Sequence, residues 1–531
     1  MRGLILLVVF ALAPGMAAAA PRDTGGPALS AASAGAFIVL CYHEVRADVR
    51  DYPDPFAVDE ASLVAQLGWL RGNGYTPVSL DQIVAARRGG PPLPPRAVLL
   101  SFDDGYLSFY TRVYPLLREF GYPAVLAVVG AWIDAPRGGT ARYGERGTVP
   151  DADFPTWAQL REMSASGLVE IASHSYDLHR GVPANPQGNV EPAATTRIYD
   201  ASSGTYEDDA AWRARVRADL ERNAVAIEQG TGRRPRAIAW PYGSYNNELV
   251  RMAAELGSPI ALTLGDGANT PGVPLDAVRR VLIAHNPSLS DFAAEVRGPQ
   301  FPAPLRAVRI DLDELYSADK PEAERKLSAL LDRMRVLRPS HLYLTAYSPA
   351  TGAAYFPNRH LPVRADLFNR VAWQLATRAE VKVFAVHPAS ALGLEAQAQL
   401  LEDLARHAAF DGVLFEDEAL PAGQARLLAA GAARFRAPIA IARRVGTAPH
   451  GALIQHEPAV PGEAARSIPL LNAADGGEAL AGRMRALQLG GAIDFGYDAD
   501  DFLRDAPSLA QTAPALSLRA FPAAARSGGA Q

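Results

Sequence analysis

Two clusters of carboxylates and imidazoles are the residues of this chain best suited to chemistry. Asp103 and Asp104 follow an apolar run that ends at Phe102, and His174 and His179 follow another such run further along. One carboxylate and two imidazoles can hold a divalent ion in a facial triad with open coordination positions, which leaves the second carboxylate as a base. The pattern predicts metal-assisted hydrolysis of an amide or an ester.

Each cluster also has an ordinary structural interpretation. Asp-Asp-Gly is common in turns and at helix N-termini, and a pair of histidines is most often structural. The coincidence of the two clusters favours the metal site. Both follow predicted strands of one domain, and the ends of such strands are where (β/α) barrels form their active sites.

Further polar and aromatic residues end neighbouring predicted strands. His43 ends the first strand and His285 the last, and each is a candidate for the general acid. The tetrapeptide Trp240 to Gly243 ends another strand: Trp240 suits the wall of a sugar site, and an exposed backbone N–H in the turn suits an oxyanion. The alternative is a simple Pro-Gly turn.

Length and composition set limits on the class of protein. With 531 residues the chain is too long for one core, so two or more domains are expected. A net charge of −5 without long runs of like charge disfavours nucleic acid as a partner. The single cysteine, Cys41, excludes an intramolecular disulfide, and its apolar neighbours predict a buried, inert thiol.

The N-terminus has the pattern of a secretory signal. Arg2 precedes an apolar run over residues 4–13 and a small-residue zone that ends near Ala20, so residues 1–20 are predicted to be a signal peptide. Residues 21–35 are rich in Ala, Gly, Ser and Pro and are predicted to be a disordered lead. No cysteine lies near the cleavage zone, so no lipid anchor on the mature N-terminus is expected. We expect a soluble periplasmic or secreted protein without a transmembrane span.

Strand-like and helix-like segments alternate over residues 36–286, pause in a proline-rich linker at 287–304, and alternate again over 305–531. The predicted class is α/β with two consecutive (β/α) barrels, the first distorted and the second a shortened TIM-like barrel with eight candidate strands. Residues 181–206 show no periodicity and are predicted to form a long surface loop.

The motifs together resemble a known family. Residues 101–104, 174–179 and 240–243 look like the NodB-homology polysaccharide deacetylases, which are similar to carbohydrate esterase family 4. The stretches 105–113 and 280–289 resemble more narrowly the poly-β-1,6-N-acetyl-D-glucosamine N-deacetylases of biofilm export systems. Similar stretches in the second domain extend the resemblance over nearly the whole mature chain: residues 309–313, 355–359 and 371–375.

The resemblance implies roles for the first cluster of residues. Asp103 would be the general base, and the ligands of one divalent ion (Zn, Ni, Co or Fe) would be Asp104, His174 and His179. The backbone N–H of Tyr242 would be an oxyanion donor.

The acid and the charge around the base differ from the wider family pattern. His43 would be the general acid or an orienting group, while His285 resembles the histidine of the family's Leu-x-His and competes for the acid role. Many members carry an arginine just before Pro-Tyr in the third motif, whereas residues 238–240 here are Ile, Ala and Trp. The resemblance therefore implies that the charge tuning the base is missing and that the chemistry is slower.

In the family the second domain binds the partly deacetylated polymer, and in some members it is a glycoside hydrolase. Four carboxylates at predicted strand ends are the expected ligand-binding residues: Asp311, Asp313, Asp417 and Glu418. They could attract the free amines of the product, or a pair of them could do acid–base work.

The sequence predicts an exported, metal-dependent N-deacetylase of a β-1,6-linked N-acetylglucosamine polymer. The polymer is the expected partner, and an outer-membrane export porin is a further one. The alternatives are a chitin- or peptidoglycan-type deacetylase and a non-catalytic polysaccharide-binding export factor.

Overall fold

The computed structural model describes residues 35–143, 147–298, 303–348, 350–458, 465–474 and 476–517. The predicted signal peptide and all of the predicted lead except Gly35 lie outside these ranges, as does part of the predicted linker. Among the described residues, no helix combines the length and the apolar character needed to cross a membrane.

The first half of the described chain is an α/β unit. Its strands are β1 Phe37–Tyr42, β2 Val45–Arg46, β3 Val58–Asp59, β4 Thr76–Pro77, β5 Ala97–Phe102, β6 Ala124–Val128, β7 Thr140–Tyr143, β8 Gly147–Pro150, β9 Val169–Ser173, β10 Gly181–Pro183, β11 Val190–Pro192, β12 Tyr199–Asp200, β13 Thr205–Tyr206, β14 Ala237–Ala239, β15 Ile260–Leu262 and β16 Val281–Leu282. Its helices are α1 Glu60–Gly72, α2 Leu80–Arg87, α3 Tyr114–Phe120, α4 Gly130–Ile133, α5 Trp157–Ala165, α6 Asp209–Thr231, α7 Asn247–Glu255 and α8 Leu289–Arg297.

Eight parallel strands form the sheet of this unit, in the order β15-β14-β9-β6-β5-β1-β16, with β4 beside β5. All residues of β1 and β5 are buried, because helices cover both faces of a parallel sheet. The ladder ends at β15 and β16, so the first predicted barrel is a curved parallel sheet that the described strands leave open. The carboxyl ends of β1, β5, β9 and β14 meet at one edge, where the site lies.

Residues 181–206 are not the surface loop that their lack of periodicity predicts. They form two antiparallel hairpins, β10–β11 and β12–β13. Asn185, Asn189 and Glu191 are each no more than 2% exposed. The prediction was wrong because these polar side chains are buried against the second half of the chain, a contact that local periodicity does not reveal.

The second half forms a closed eight-stranded barrel. Its strands are β17 Arg306–Ile310, β18 His341–Thr345, β19 Lys382–His387, β20 Gly412–Phe415, β21 Ala440–Ala448, β22 Gly451–His456, β23 Arg466–Asn472 and β24 Phe495–Asp498. Its helices are α9 Leu312–Leu315, α10 Lys320–Leu337, α11 Phe368–Arg378, α12 Leu394–His407, α13 Ala422–Ala433, α14 Gly477–Leu489 and α15 Leu509–Leu516.

This barrel departs from a regular (β/α) barrel on one side. β22 pairs antiparallel with both β21 and β23, whereas the other neighbours pair in parallel. The barrel is closed although its later strands lack the usual alternating helices. One apolar cluster fills the interior around Tyr343 and Phe384, and a larger one packs the helices against the outside.

Candidate active site

Asp104, His174 and His179 converge at the edge of the first sheet. Asp104 follows β5, His174 follows β9, and His179 lies in the loop after it. Oδ1 of Asp104 lies 3.3 Å from Nε2 of His174 and 3.2 Å from Nε2 of His179. Asp104 and His174 are 3% and 2% exposed, so the cluster is held below the surface.

The turn after β5 aims Asp104 into the site. Asp104 and Gly105 adopt φ of 74° and 76°, which is the left-handed region of the backbone. Glycine adopts this region readily because it has no Cβ, whereas aspartate does so less easily. A Cβ on Gly105 would lie 3.0 Å from Cγ1 of Val128, so the turn packs too closely for a side chain there. The Asp-Asp-Gly order thus serves both the turn and the site.

The three side chains fit one divalent ion. Nδ1 of His174 lies 2.8 Å from the carbonyl of Ala239. A proton on that nitrogen donates to the carbonyl and leaves the lone pair of Nε2 facing Asp104, the arrangement of a histidine metal ligand. Oδ1 of Asp104 is buried without a hydrogen-bond donor. One carboxylate and two imidazoles are ligands suited to divalent transition metals.

Asp103 is held as a carboxylate by Arg280. The guanidinium donates to both carboxylate oxygens, at 2.7 and 2.8 Å, and the side chain of Arg280 is 0% exposed. The thiol of Cys41 lies 3.6 Å from Oδ2. Burial by itself would raise the pKa of Asp103, but the charge and hydrogen bonds of Arg280 outweigh it and hold the pKa well below its usual range.

The expectation that the tuning charge is missing was therefore wrong. The residues before Pro241, at the end of β14, carry no charge. Arg280, immediately before β16, pairs with Asp103 instead, and β16 lies at the opposite end of the strand order from β14 and β15. Its Nε donates to the carbonyl of Thr263 at 2.8 Å, which fixes the guanidinium plane. An arginine at the start of an apolar run was the available signal, yet sequence position alone does not identify its partner.

The structure separates the two candidate acids. A ring nitrogen of His43 and the acidic atoms of Cys41 and Asp103 all lie within 4.8 Å of one another. The ring packs on Phe56 with centroids 5.1 Å apart. Burial raises the pKa of the neighbouring Asp54, and the interaction with His43 only partly opposes that shift. His285 is exposed and adopts φ of 59°. Among the described residues, the side chains found close to Asp103 are those of Arg280, Cys41 and His43, and not that of His285.

The aromatic residues at the site differ from those expected. Trp240 is 1% exposed and packs in a cluster with Ile238 and Leu249, so it cannot form the wall of a sugar site. Tyr242 adopts φ of 58°, and its ring centroid lies 4.5 Å from that of His179. Trp132, which sequence reasoning missed, packs on the other side of His179 at 5.0 Å.

Most of the acidic residues predicted in the second barrel have internal partners. Asp311 accepts hydrogen bonds from Thr345 Oγ1 at 3.0 Å and from the backbone N–H of Asp313 at 2.9 Å. Asp313 accepts from Arg364, Ser348 and Tyr355. Glu418 pairs with Arg444 at 2.7 Å, and Asp417 accepts from the backbone N–H of Ala419. Their charge is partly neutralised before any ligand binds.

A second acidic pair lies nearby, at the ends of β20 and β24. Glu416 lies 2.8 Å from Arg309, and Asp498 lies 3.6 Å from the same guanidinium. Burial raises the pKa of Glu416 even though Arg309 opposes the shift. Arg309 thus lies between two carboxylates at the carboxyl ends of β20 and β24.

Comparison with known proteins agrees with this geometry. Residues 90–261 match the family described as polysaccharide deacetylase, and residues 309–401 match hypothetical glycosyl hydrolase family 13. Residues 90–261 are therefore similar to a polysaccharide deacetylase domain and residues 309–401 to a glycosyl hydrolase domain, in agreement with the resemblance drawn from the motifs.

The similar proteins include poly-β-1,6-N-acetyl-D-glucosamine N-deacetylases. The chain is 38% identical over 424 residues to the poly-β-1,6-N-acetyl-D-glucosamine N-deacetylase of Escherichia coli K12, a match covering 72% of this chain and 63% of that protein. Among solved structures, the BpsB deacetylase domain of Bordetella bronchiseptica is 52% identical, covering 46% of this chain and 95% of that one, with a TM-score of 0.43. The PgaB (BpsB) glycoside hydrolase domain of the same organism is 26% identical, with coverages of 40% and 99% and a TM-score of 0.33.

Proposed function

We propose that the protein is a metal-dependent N-deacetylase of poly-β-1,6-N-acetyl-D-glucosamine. The observation that carries this proposal is the separation of roles between two adjacent carboxylates. Asp104 faces two imidazoles, and Asp103 faces a guanidinium and the thiol of Cys41. A base next to a ligand set, rather than within it, is an arrangement suited to metal-assisted amide hydrolysis. The 38% identity to the Escherichia coli deacetylase supports the choice of substrate.

In this proposal the residues act as follows. A divalent ion bound by Asp104, His174 and His179 would lower the pKa of a water and polarise the acetyl carbonyl. Asp103, ionised because of Arg280, accepts the proton of the attacking water. His43 delivers a proton to the leaving amine, and the backbone N–H of Tyr242 donates to the oxyanion.

Acetate release from the polymer, with and without a chelator, tests the proposal. Asp103→Asn should abolish release and keep the metal, whereas Asp104→Asn, a matched change at the next residue, should lose both. Metal content measured on each purified variant separates the roles. If Asp103→Asn loses the metal and Asp104→Asn keeps it, the two assignments are reversed. Faster release from chitin or peptidoglycan fragments would favour the alternative substrate class.

We propose that the second domain binds the partly deacetylated product. The match to a glycosyl hydrolase family and the acidic residues at the carboxyl ends of its strands support this role. Ammonium groups of the product would pair with Asp311 and Asp417, and would compete with the guanidinium groups of Arg364 and Arg444 for Asp313 and Glu418. Each contact should contribute about 0.5–1 kcal/mol and weaken with salt. Full-length protein can be titrated with oligomers that differ only in acetylation. Equal affinities at low and high salt would contradict the proposal, and shortening of the oligomers would indicate hydrolysis.

We propose that the protein acts outside the cytoplasm, with 1–20 as signal peptide, 21–35 as lead, 36–286 as the deacetylase domain, 287–304 as linker and 305–531 as the binding domain. The basic and apolar N-terminal pattern supports export. An export porin of the outer membrane is the partner that a polymer leaving the cell would bring close. Co-purification of the full chain with such a porin, lost when residues 1–20 are deleted, tests this placement.

A further inference from the structure

One segment of the first domain begins in the cluster of Asp104, His174 and His179, then contacts the second domain, and ends at the turn that carries Tyr242. It starts at His179, continues as the hairpin β10–β11, and ends at Thr195. At its near end, the N–H of Ala193 donates to the carbonyl of Arg180 at 3.0 Å, which closes the hairpin directly behind His179. At its far end, Oγ1 of Thr195 lies 2.7 Å from Oγ of Ser244, in the turn that carries Tyr242.

The tip of this hairpin is held by α11 of the second barrel. Nδ2 of Asn189 donates to the carbonyl of Asn369 at 3.1 Å, and Nδ2 of Asn369 donates to Glu191 at 2.8 Å. Nη1 of Arg370 donates to Oδ1 of Asn189 at 3.0 Å, and Arg436 lies 3.6 Å from Glu191. Asn189, Glu191 and Asn369 are each no more than 2% exposed. Polar groups buried this fully depend on their partners for position.

The first domain holds only the base of the hairpin. Val182 packs beside Trp212 in the apolar cluster of α6, whereas the side chains at the tip are polar and find their partners across the domain boundary. Hydrogen bonds, including those to a buried carboxylate, have preferred distances and angles, whereas apolar contacts do not. They therefore restrict the orientation of the hairpin more than apolar packing would. The tip contacts therefore set the angle at which the hairpin leaves the metal loop.

We propose that the second domain is a structural part of the metal centre, because its hydrogen bonds to the β10–β11 hairpin position His179 and the Tyr242 turn. Asn369 and Arg370 are then positioning residues for a site on the other domain. This inference rests on the metal site proposed above. It gives the second barrel a role in the deacetylation step that is separate from binding the polymer.

Cobalt(II) bound to the full-length protein tests the inference, because its visible absorption reports ligand geometry and chelator competition reports affinity. Asn369→Ala and Arg370→Met should each change the absorption bands and weaken cobalt binding about five- to tenfold, somewhat less than the loss of a group that contacts a ligand directly. Hydrogen exchange at residues 184–191 should become faster in both variants. Circular dichroism confirms that each variant folds, and Arg370→Met alone decides the question if Asn369→Ala does not fold.

Two control variants match these changes. Arg406→Met removes a contact between the domains, to Asp209 at 3.2 Å, that lies outside the hairpin, and Arg426→Met removes an ion pair with Glu457 inside the second barrel. Both should bind cobalt as the wild type does. The inference is overturned if the hairpin variants keep the wild-type spectrum and affinity, or if exchange at the tip is unchanged in both. Failure of the wild type itself to bind cobalt would instead refute the proposed metal site.

Discussion

Replacement of Arg280 by methionine should destabilise the first domain and abolish turnover. Methionine keeps much of the length and apolar volume of the side chain but removes both hydrogen bonds to Asp103. The carboxylate would then be buried at 3% exposure without its guanidinium partner, which is a costly arrangement in a protein.

The size of the effect follows from the burial of both partners. Breaking a fully buried ion pair by removing one member costs about 3–5 kcal/mol. For a domain of this size, about 1 kcal/mol corresponds to 2–4 °C, so the melting temperature should fall by about 6–20 °C. Because the pKa of Asp103 is held below its unfolded value, the pair stabilises fully at pH 7 and loses its effect as the pH falls below about 4.

Calorimetry of the metal-free protein at pH 7 measures the change. Arg217→Met serves as control: Arg217 pairs with Glu255 at the surface, where both side chains are about half exposed, and should cost less than about 1 kcal/mol. The double variant Asp103→Asn/Arg280→Met should recover about 1–3 kcal/mol, because the unpaired charge is gone. A loss in Arg280→Met no larger than in the control, or no recovery in the double variant, would refute the reasoning.

Three further changes address other parts of the structure. His43→Ala should lower kcat about 100- to 10,000-fold and His285→Ala should leave it within about twofold, since only His43 lies beside Asp103; the reverse result in a turnover assay would move the acid role to His285. Asp219→Asn should cost about 1–3 kcal/mol in calorimetry, because the carboxylate accepts two backbone N–H groups of the metal loop, at 2.8 and 2.7 Å; unchanged stability would show that solvent replaces it. Arg309→Gln should tighten binding of glucosamine oligomers about two- to fivefold by freeing Glu416, and calorimetric titration giving weaker binding would show that Arg309 itself contacts the ligand.

The elements that could be predicted are those whose signal is local. Strand β5 ends at Phe102, as the apolar run in the sequence predicts, and the second barrel has eight strands, the number of candidates in the sequence. The last predicted strand of the first domain, which was expected to end at His285, is the two-residue strand Val281–Leu282 and ends before that histidine. The antiparallel pairing of β22 was not predicted, since alternation of apolar residues does not show the direction of a neighbouring strand.

The sequence indicates the residue types of the candidate site but not the charged residues that pair with them. Asp103 and His174 stand directly after strands, and Asp104 and His179 lie in the turn and the loop that follow. Parallel strands end at one edge of a sheet, so the meeting of these residues follows from topology. Arg280 is distant from Asp103 in sequence, and long-range ion pairs have no local pattern. Trp240 was misassigned for the same reason, because its burial depends on α6 and α7 packing over it.

The pair of Asp103 with Arg280 also constrains how the base can work. A buried carboxylate without a partner would take up a proton, and a protonated carboxyl group cannot accept another. Arg280 prevents this, but the same charge that keeps Asp103 ionised makes it a weak base. A weak base is effective only toward a water whose own pKa has been lowered, because proton transfer is efficient when the two pKa values are close. The ion pair of Asp103 and the adjacent ligand set of Asp104, His174 and His179 therefore depend on each other in the proposed reaction. Neither would support this metal-assisted hydrolysis alone.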